Sequence, residues 1–84
     1  MNLKANLDTR ENKVLRRKVG REFSQRLRRI RKQKKMTQQE LAEAASLHIT
    51  YIGQLELGKY HPTLFTAWKI AKALGVPITD LVGS

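Results

Sequence analysis

The stretch TQQELAEAASLHITYIGQLE, residues 37–56, decides the fold predicted for this chain. It opens with Thr37 and Glu40 at the spacing of a capping box, in which each side chain bonds the backbone amide of the other residue at the start of a helix. Leu41, Ala42 and Ala45 then form one apolar face at helical spacing. The segment therefore predicts a short amphipathic helix at about residues 38–45.

A second short helix is predicted after a break at residues 46–48. Ile52 and Leu55 form its inward face at i, i+3, and the small side chain of Ala42 lets this helix cross the first one closely. The remaining residues of the second helix point outward: Ile49, Thr50, Gly53, Gln54 and Leu57. Two short helices joined by a tight turn have the layout of a helix-turn-helix, whose second helix lies in the major groove of DNA.

The residues around this stretch extend the pattern to roughly three quarters of the chain. From about Arg21 to Val82 the sequence resembles the Cro/CI-type helix-turn-helix family, also called lambda-repressor-like or XRE. The matching segments are MTQQELA (36–42), TYIGQLELGKYHPTL (50–64) and AWKIAKALGVP (67–77), with Leu27, Ile30 and Arg31 before them. The resemblance implies an all-α fold, a compact bundle of about five helices that binds double-stranded DNA.

The chain departs from the family pattern at three positions. Ser46 replaces the usual Gly in the turn, and Lys35 replaces the usual Gly before the capping box. Leu57 stands where the family often has Arg or Asn. We expect the first two replacements to strain the backbone of the turns and the third to remove a side chain that could contact a phosphate.

The net charge of +10 is concentrated in the first part of the 84-residue chain. Residues 1–35 carry 14 Lys and Arg against 3 acidic residues, whereas residues 36–84 carry 3 against 4. A strongly basic segment on a small domain indicates a polyanionic partner. The alternative is a solvated helix face that only keeps the protein soluble.

Apolar residues at helical spacing also run through this basic segment. Gly20 interrupts their stripe at a cost of about 1 kcal/mol. The sequence leaves two alternatives: one helix from about residue 9 to residue 34, or, slightly favoured, a core helix at about 21–34 preceded by a partly helical extension. The members of the stripe are Leu15, Val19, Phe23, Leu27 and Ile30.

The slightly favoured alternative divides the chain into a basic N-terminal extension, residues 1–20, and a helix-turn-helix domain, residues 21–84. Asp8 and Glu11 are spaced for a second capping box at the start of the extension. Beyond the helix-turn-helix we predict a fourth helix at about 64–74 and a short fifth helix. The fourth helix is expected to bury Leu64, Ala67, Trp68, Ala71 and Leu74, with Ile70 as a further candidate, and the fifth contains Leu81 and Val82.

The residues expected to read bases lie on the second helix of the motif. Gln54 can pair with adenine through its carbonyl oxygen and its amide nitrogen. The resemblance places base contacts there and at three residues near the helix start, His48, Ile49 and Thr50. An exposed Ile49 would fit a thymine methyl group or a protein partner, whereas His48 could cap the helix, contact a phosphate or read a base.

Contacts with the DNA backbone are expected at the two flanks of the reading helix. Gln38 stands in the first turn of its helix, where unpaired amides and the helix dipole favour an anion. The resemblance makes Gln38 a phosphate clamp and pairs Arg31 with Glu56 beneath the reading helix. Further backbone contacts are expected from Lys59, His61 and Arg31, and in the extension from Arg16, Arg17 and Lys18.

The sequence therefore predicts a cytoplasmic, sequence-specific DNA-binding regulator of transcription. It would act as a homodimer on a partly palindromic operator, and the resemblance places dimer contacts near Leu81 and Val82. Two rivals remain: an antitoxin-like protein with an acidic protein partner, or a basic helix that binds RNA or an anionic membrane. The segment LHITYI, residues 47–52, is similar to restriction-modification controller proteins.

An enzyme is not expected from this inventory of residues. The chain has two His, no Cys and seven acidic residues scattered along it. It lacks a nucleophile elbow, a glycine-rich phosphate loop and ligands at zinc spacing. We therefore predict no catalytic residues, no metal and no cofactor, and the absence of an apolar stretch of about 20 residues predicts no membrane span.

Overall fold

Five α-helices and their connecting loops make up residues 9–83, the part of the chain that the computed structural model describes. The helices are α1 (Thr9–Gln33), α2 (Gln38–Ala45), α3 (Ile49–Glu56), α4 (Leu64–Leu74) and α5 (Thr79–Val82). No strand occurs within these residues, so the predicted all-α fold is confirmed. Among the described helices, none combines the length and the apolar character that crossing a bilayer requires.

The hydrophobic core fixes the orientation of α3. α1 packs against α3 and α5, while α2 packs against α3 and α4. Full burial of one Leu or Ile side chain contributes roughly 1.5–3 kcal/mol to folding. Because two such residues of α3 point into the core, its opposite face is turned outward. The fully buried side chains are Leu27, Leu41, Ile52, Leu55, Ile70 and Leu81.

α1 is one continuous helix that passes through Gly20. The structure thus shows the long-helix alternative, and the separate core helix slightly favoured by the sequence does not form. A Cβ on Gly20 would lie 3.1 Å from Cε1 of His61, so the glycine lets the imidazole pack against the helix. The capping box expected from Asp8 lies outside the described residues.

The apolar stripe of α1 is buried only in its second half. Leu15 and Val19 are exposed, whereas Phe23, Leu27 and Ile30 belong to the core. Apolar spacing therefore extends further along α1 than burial does, by Leu15 and Val19. Their side chains have the correct spacing, but the remaining helices cover only the C-terminal half of α1.

α4 is rotated relative to the expected orientation. Trp68 is 48% exposed and Leu64 is 77% exposed, so their assignment to the core is wrong. Ile70 is fully buried, and its position on the helix lies beside the two small residues Ala67 and Ala71. Trp68 instead stacks on Phe65, with ring centroids 6.3 Å apart, and the ammonium group of Lys72 lies 5.0 Å from the centre of its ring.

Two turns hold non-glycine residues in the left-handed conformation. Lys35 has φ 58° and Ser46 has φ 54°. For residues with a Cβ this conformation costs roughly 1–2 kcal/mol. The expected strain at the positions where the family usually has glycine is therefore confirmed. The amide of Ser46 still caps α2 by donating to the carbonyl oxygens of Ala42 and Glu43.

Ser46→Gly should raise the free energy of unfolding by about 1 kcal/mol, because glycine adopts this conformation without a steric cost. The capping hydrogen bonds come from the backbone and are retained. Ser46→Ala is the matched control, since it removes the hydroxyl but keeps the Cβ, and should give no gain. Urea unfolding of the three proteins measures the difference, and equal stability of the glycine and alanine variants would contradict a backbone origin.

Candidate nucleic-acid interface

The outward face of α3 carries the residues expected to read bases. His48, Ile49 and Thr50 are exposed at the start of the helix. Gln54 lies one turn further along and is half-buried. Because Ile52 and Leu55 are fully buried on the other side, these four residues share the solvent-facing surface of α3. The structure thus brings the predicted base-reading residues together on one surface.

His48 occupies the N-cap position of α3 without a hydrogen bond from its side chain to the helix. Of the roles that the sequence left open, side-chain capping is therefore not observed. The imidazole is exposed at the end of α3, next to Ile49. This placement leaves it available for a contact with a base or a phosphate.

The amide oxygen of Gln54 is covered and has no hydrogen-bond partner within the described residues. A buried polar atom without a partner costs about 1–3 kcal/mol. A rotation of the side chain that exposes this oxygen therefore breaks no hydrogen bond at that atom. Adenine offers it a donor at N6 and offers the amide nitrogen an acceptor at N7. Gln54 is thus chemically suited to the bidentate contact expected of it.

The predicted ion pair between Arg31 and Glu56 is present beneath α3. Nε of Arg31 donates to Oε2 of Glu56 at 2.6 Å, and Nη2 donates to Oε1 at 3.0 Å. The Arg31 side chain is 10% exposed and the Glu56 side chain 4%. The hydrogen bonds to Glu56 raise the pKa of Arg31, although burial opposes the shift. The guanidinium therefore stays charged throughout the neutral pH range.

Arg31 is positioned to support α3 more than to contact DNA. Its remaining terminal nitrogen, Nη1, donates to the carbonyl oxygen of Met36 at 2.8 Å. All three guanidinium nitrogens are thus bonded within the protein. The phosphate contact expected of Arg31 gains no support from this geometry.

Gln38 joins the same network from α2. Its Nε2 donates to Oε1 of Glu56 at 3.1 Å. The capping box is complete, because Thr37 Oγ1 accepts from the Glu40 amide at 3.0 Å and Glu40 Oε1 accepts from the Thr37 amide at 2.8 Å. The first-turn amides of Gln38 and Gln39 lack intrahelical partners and carry the positive end of the helix dipole. This end of α2 can therefore bind an anion.

A crevice of about 320 Å³ lies between α1, α2 and α3. A Cβ on Gly53 would meet only Oε1 of Gln38, at an ordinary 3.8 Å, so tight packing does not explain this glycine. The exposed Arg28 also lines the crevice, although the sequence pattern does not assign it to the interface. The sequence feature that could have identified Arg28 is its position one turn before Arg31 on α1. The lining consists of Arg28, Arg31, Gln38, Gly53, Glu56 and Leu57.

The expected backbone contacts of the extension are only partly brought together. Arg16 and Arg17 lie with His61 around a second crevice, beside the loop that follows α3. Lys18 is exposed but does not line this crevice, and Lys59 is exposed in the loop. Lys13 lines it as well, although the sequence pattern does not assign this residue to the interface.

The interface thus combines an exposed helix face, a helix start suited to anions and a basic N-terminal segment. Within the described residues, no group of acidic, His or Cys side chains could hold a metal ion. An exposed helix in a helix-turn-helix, flanked by anion-binding groups, defines the class of DNA-binding transcriptional regulators.

Comparison with known proteins identifies the family. Residues 27–81 match the model of the helix-turn-helix family HTH_3, so the chain belongs to this family of Cro/CI-type regulators. The chain is 44% identical over 61 residues to the control protein C.BamHI of Bacillus amyloliquefaciens, covering 71% of this chain and 75% of that protein. The expected family and the expected absence of an enzyme agree with these matches.

Two further proteins show how far the likeness extends. The immunity repressor protein of Bacillus phage phi105 is 42% identical over 59 residues, which span 70% of this chain but only 41% of the repressor. The crystal structure of the restriction-modification controller protein C.AhdI from Aeromonas hydrophila matches with a TM-score of 0.72 and 34% identity. This match covers 74% of the present chain and 94% of the controller protein.

Glu56→Ala should lower the free energy of unfolding by about 3 kcal/mol, because it leaves the Arg31 charge buried without its partner. For a domain of this size that loss lowers the melting temperature on the order of 10–20 °C. Glu22→Ala is the control. It removes a carboxylate from an exposed pair with Arg26 at 3.9 Å and should cost about 0.5 kcal/mol or less. Equal effects of the two substitutions in thermal unfolding would show that the Arg31 pair is not sheltered.

Proposed function

We propose that this protein regulates transcription by binding a partly palindromic operator in double-stranded DNA as a homodimer in the cytoplasm. The observation that carries the proposal is the exposed face of α3, on which His48, Ile49, Thr50 and Gln54 lie together. A helix-turn-helix places such a face in the major groove, where each base pair presents a different pattern of donors, acceptors and methyl groups.

The electrostatics of the surface support this orientation of the DNA. Glu56 is the acidic residue of α3, and its charge is neutralised by Arg31. The free first-turn amides of α2 lie on one flank, and the basic half of α1 lies beside the loop after α3 on the other. Phosphate contacts on both flanks would fix the position of the duplex, whereas the side chains of α3 would select its sequence.

The similar proteins favour a regulator over the rival readings. Their names describe a control protein, an immunity repressor and a restriction-modification controller. An antitoxin-like protein would use the basic segment mainly for an acidic protein partner. That alternative predicts weak selectivity among DNA sequences, because the exposed face of α3 would then have no role in contacting bases.

Selection from a random duplex pool tests the main proposal. We expect a symmetric motif whose two halves are about 10 base pairs apart, one helical turn, because each α3 of the dimer would read one half-site. A single unpaired motif would contradict the dimer, and flat enrichment would contradict sequence-specific binding.

Gln54→Ala should weaken binding to the best site by roughly 1–3 kcal/mol and relax the preference at one or two base pairs. Gln25→Ala is the control, because Gln25 is an exposed glutamine on α1 that lines neither crevice. Competition binding against a panel of single-base variants measures both effects. If Gln54→Ala weakens binding to all sequences equally, Gln54 does not read a base.

An exposed apolar surface on α4 and α5 supports homodimerisation. Leu64 and Val82 line a groove of about 170 Å³ together with Val19, and Phe65 and Trp68 are exposed beside Leu64 on α4. Contiguous apolar surface of this kind in a small soluble domain marks an interaction site. Leu81 is fully buried in the core, so the expectation that it forms a dimer contact is wrong.

Val82→Lys should shift the dimer towards monomer, because it introduces a charge into the proposed interface. Val14→Lys is the matched control, since Val14 is 63% exposed on α1 and lies outside the groove. Sedimentation at micromolar concentration, alone and with operator DNA, measures the shift. Identical sedimentation of both variants and the parent as dimers would place the interface elsewhere, and monomers throughout would remove the basis for a palindromic operator.

A further inference from the structure

A cationic crevice separates the N-terminal half of α1 from the loop that follows α3. Its volume is about 220 Å³, and none of the described residues that line it is acidic. Among the described residues, the ion pairs of Glu22 with Arg26 and of Glu56 with Arg31 involve none of the lining residues. The residues that line the crevice are Lys13, Arg16, Arg17, Gly20, Gly58 and His61.

The three basic residues of the crevice are Lys13, Arg16 and Arg17. They lie on the same side of α1 as the residues that contact α3 and the loop after it. On that side Gly20 lies against His61, and Ser24 Oγ lies 3.6 Å from the Cβ position of Gly58. Steps of three and four residues keep positions on one face of a helix. Lys13 and Arg17 therefore project from the same side of α1, beyond the end of the packed region. Their charged groups lie across the crevice from the loop at the C-terminal end of α3.

Two glycines keep the crevice open. A Cβ on Gly20 would press against the His61 imidazole at 3.1 Å. Gly58 has φ +76°, a conformation in which any residue with a side chain is strained. Both crevice walls thus have bare backbone at the points where α1 and the loop approach each other. The charged groups of Lys13, Arg16 and Arg17 supply the polar chemistry.

We propose that this crevice binds a phosphate group, and that in the DNA complex it holds a backbone phosphate flanking the base pairs read by α3. The DNA part of this inference rests on the proposed function. Two arginines and a lysine suit a phosphate because guanidinium groups donate paired hydrogen bonds to its oxygens. The cationic crevice also lies next to the interface along the chain, since Leu57 lines the crevice at Gln38 and the following residue, Gly58, lines the cationic one.

The site differs from a diffuse basic surface in which any cation is equivalent. Arg21 lies one turn from Arg17 on the same helix, is exposed and carries the same charge, but it does not line the crevice. A localised phosphate site therefore makes Arg17 important and Arg21 dispensable. If the DNA were attracted only by the overall positive charge of the surface, loss of either residue would weaken binding equally.

The first experiment compares Arg17→Ala with Arg21→Ala in binding to the selected duplex over a range of salt concentrations. Each phosphate neutralised contributes about 0.9 to the slope of log K against log salt. We expect Arg17→Ala to shallow the slope by about 0.9 and to weaken binding roughly tenfold, as for a lost hydrogen bond to a charged group. Arg21→Ala should leave the slope unchanged, and equal losses in the two variants would overturn the site.

The second experiment detects phosphate without DNA. Sodium phosphate is titrated into the full chain while the amide signals of Gly20 and Gly58 are followed by NMR, with sodium chloride at matched ionic strength as the reference. We expect saturable shifts in the parent and in Arg21→Ala, and none in Arg17→Ala. Circular dichroism of the variants establishes that both remain folded. Absence of phosphate-dependent shifts in the parent would overturn the site.

The two measurements separate this inference from the proposed function. Shifts with phosphate in a protein that binds no duplex would support the site and contradict the regulator. Tight duplex binding with equal salt slopes for the parent and Arg17→Ala would support the regulator and contradict a backbone phosphate in the crevice. If phosphate shifts accompanied those equal slopes, the ligand would be free phosphate and the DNA part of the inference would be overturned.

Discussion

The hydrogen-bonded pair of Arg31 and Glu56 is the constraint on which the reading surface depends. It joins α1 to the end of α3, and through Gln38 and the Met36 carbonyl it also holds the start of α2. Burying two charges is costly unless their hydrogen bonds are satisfied. Here each guanidinium nitrogen has an acceptor, so the pair fixes the relative positions of three helices.

α3 needs such a constraint because it is short. Isolated helices of fewer than about 12–15 residues are marginal in water, and α3 has eight. Its buried anchors are Ile52 and Leu55, which hold one face but leave some freedom of rotation about the helix axis. Glu56 adds a directional bond next to Leu55. The outward position of Gln54 follows from these neighbouring constraints.

Local features of the sequence predicted much of this arrangement. The capping box at Thr37, the inward face of α3 and the left-handed turn at Ser46 each depend on residues close together in the chain. The predictions that failed concern which apolar helix faces are buried by neighbouring helices. Spacing identified Leu15 and Leu64 as apolar positions on helices, but it could not show that the neighbouring helices stop short of them. Helical spacing also placed Trp68 in the core, although Ile70, named only as a further candidate, takes the interior position. The covered oxygen of Gln54 depends on one side-chain rotation, for which the sequence holds no signal.

The N-terminal half of α1 is helical although the other helices do not cover it. Once a helix has formed, extension adds a backbone hydrogen bond without a new nucleation cost, so the packed half of α1 can support the rest. Lys13, Arg16 and Arg17 oppose this, because like charges three and four residues apart destabilise a helix by a few tenths of a kcal/mol per pair. An anion in the crevice would relieve that repulsion. A ligand that binds the folded form alone stabilises that form, so phosphate binding and the helicity of this segment would be thermodynamically linked.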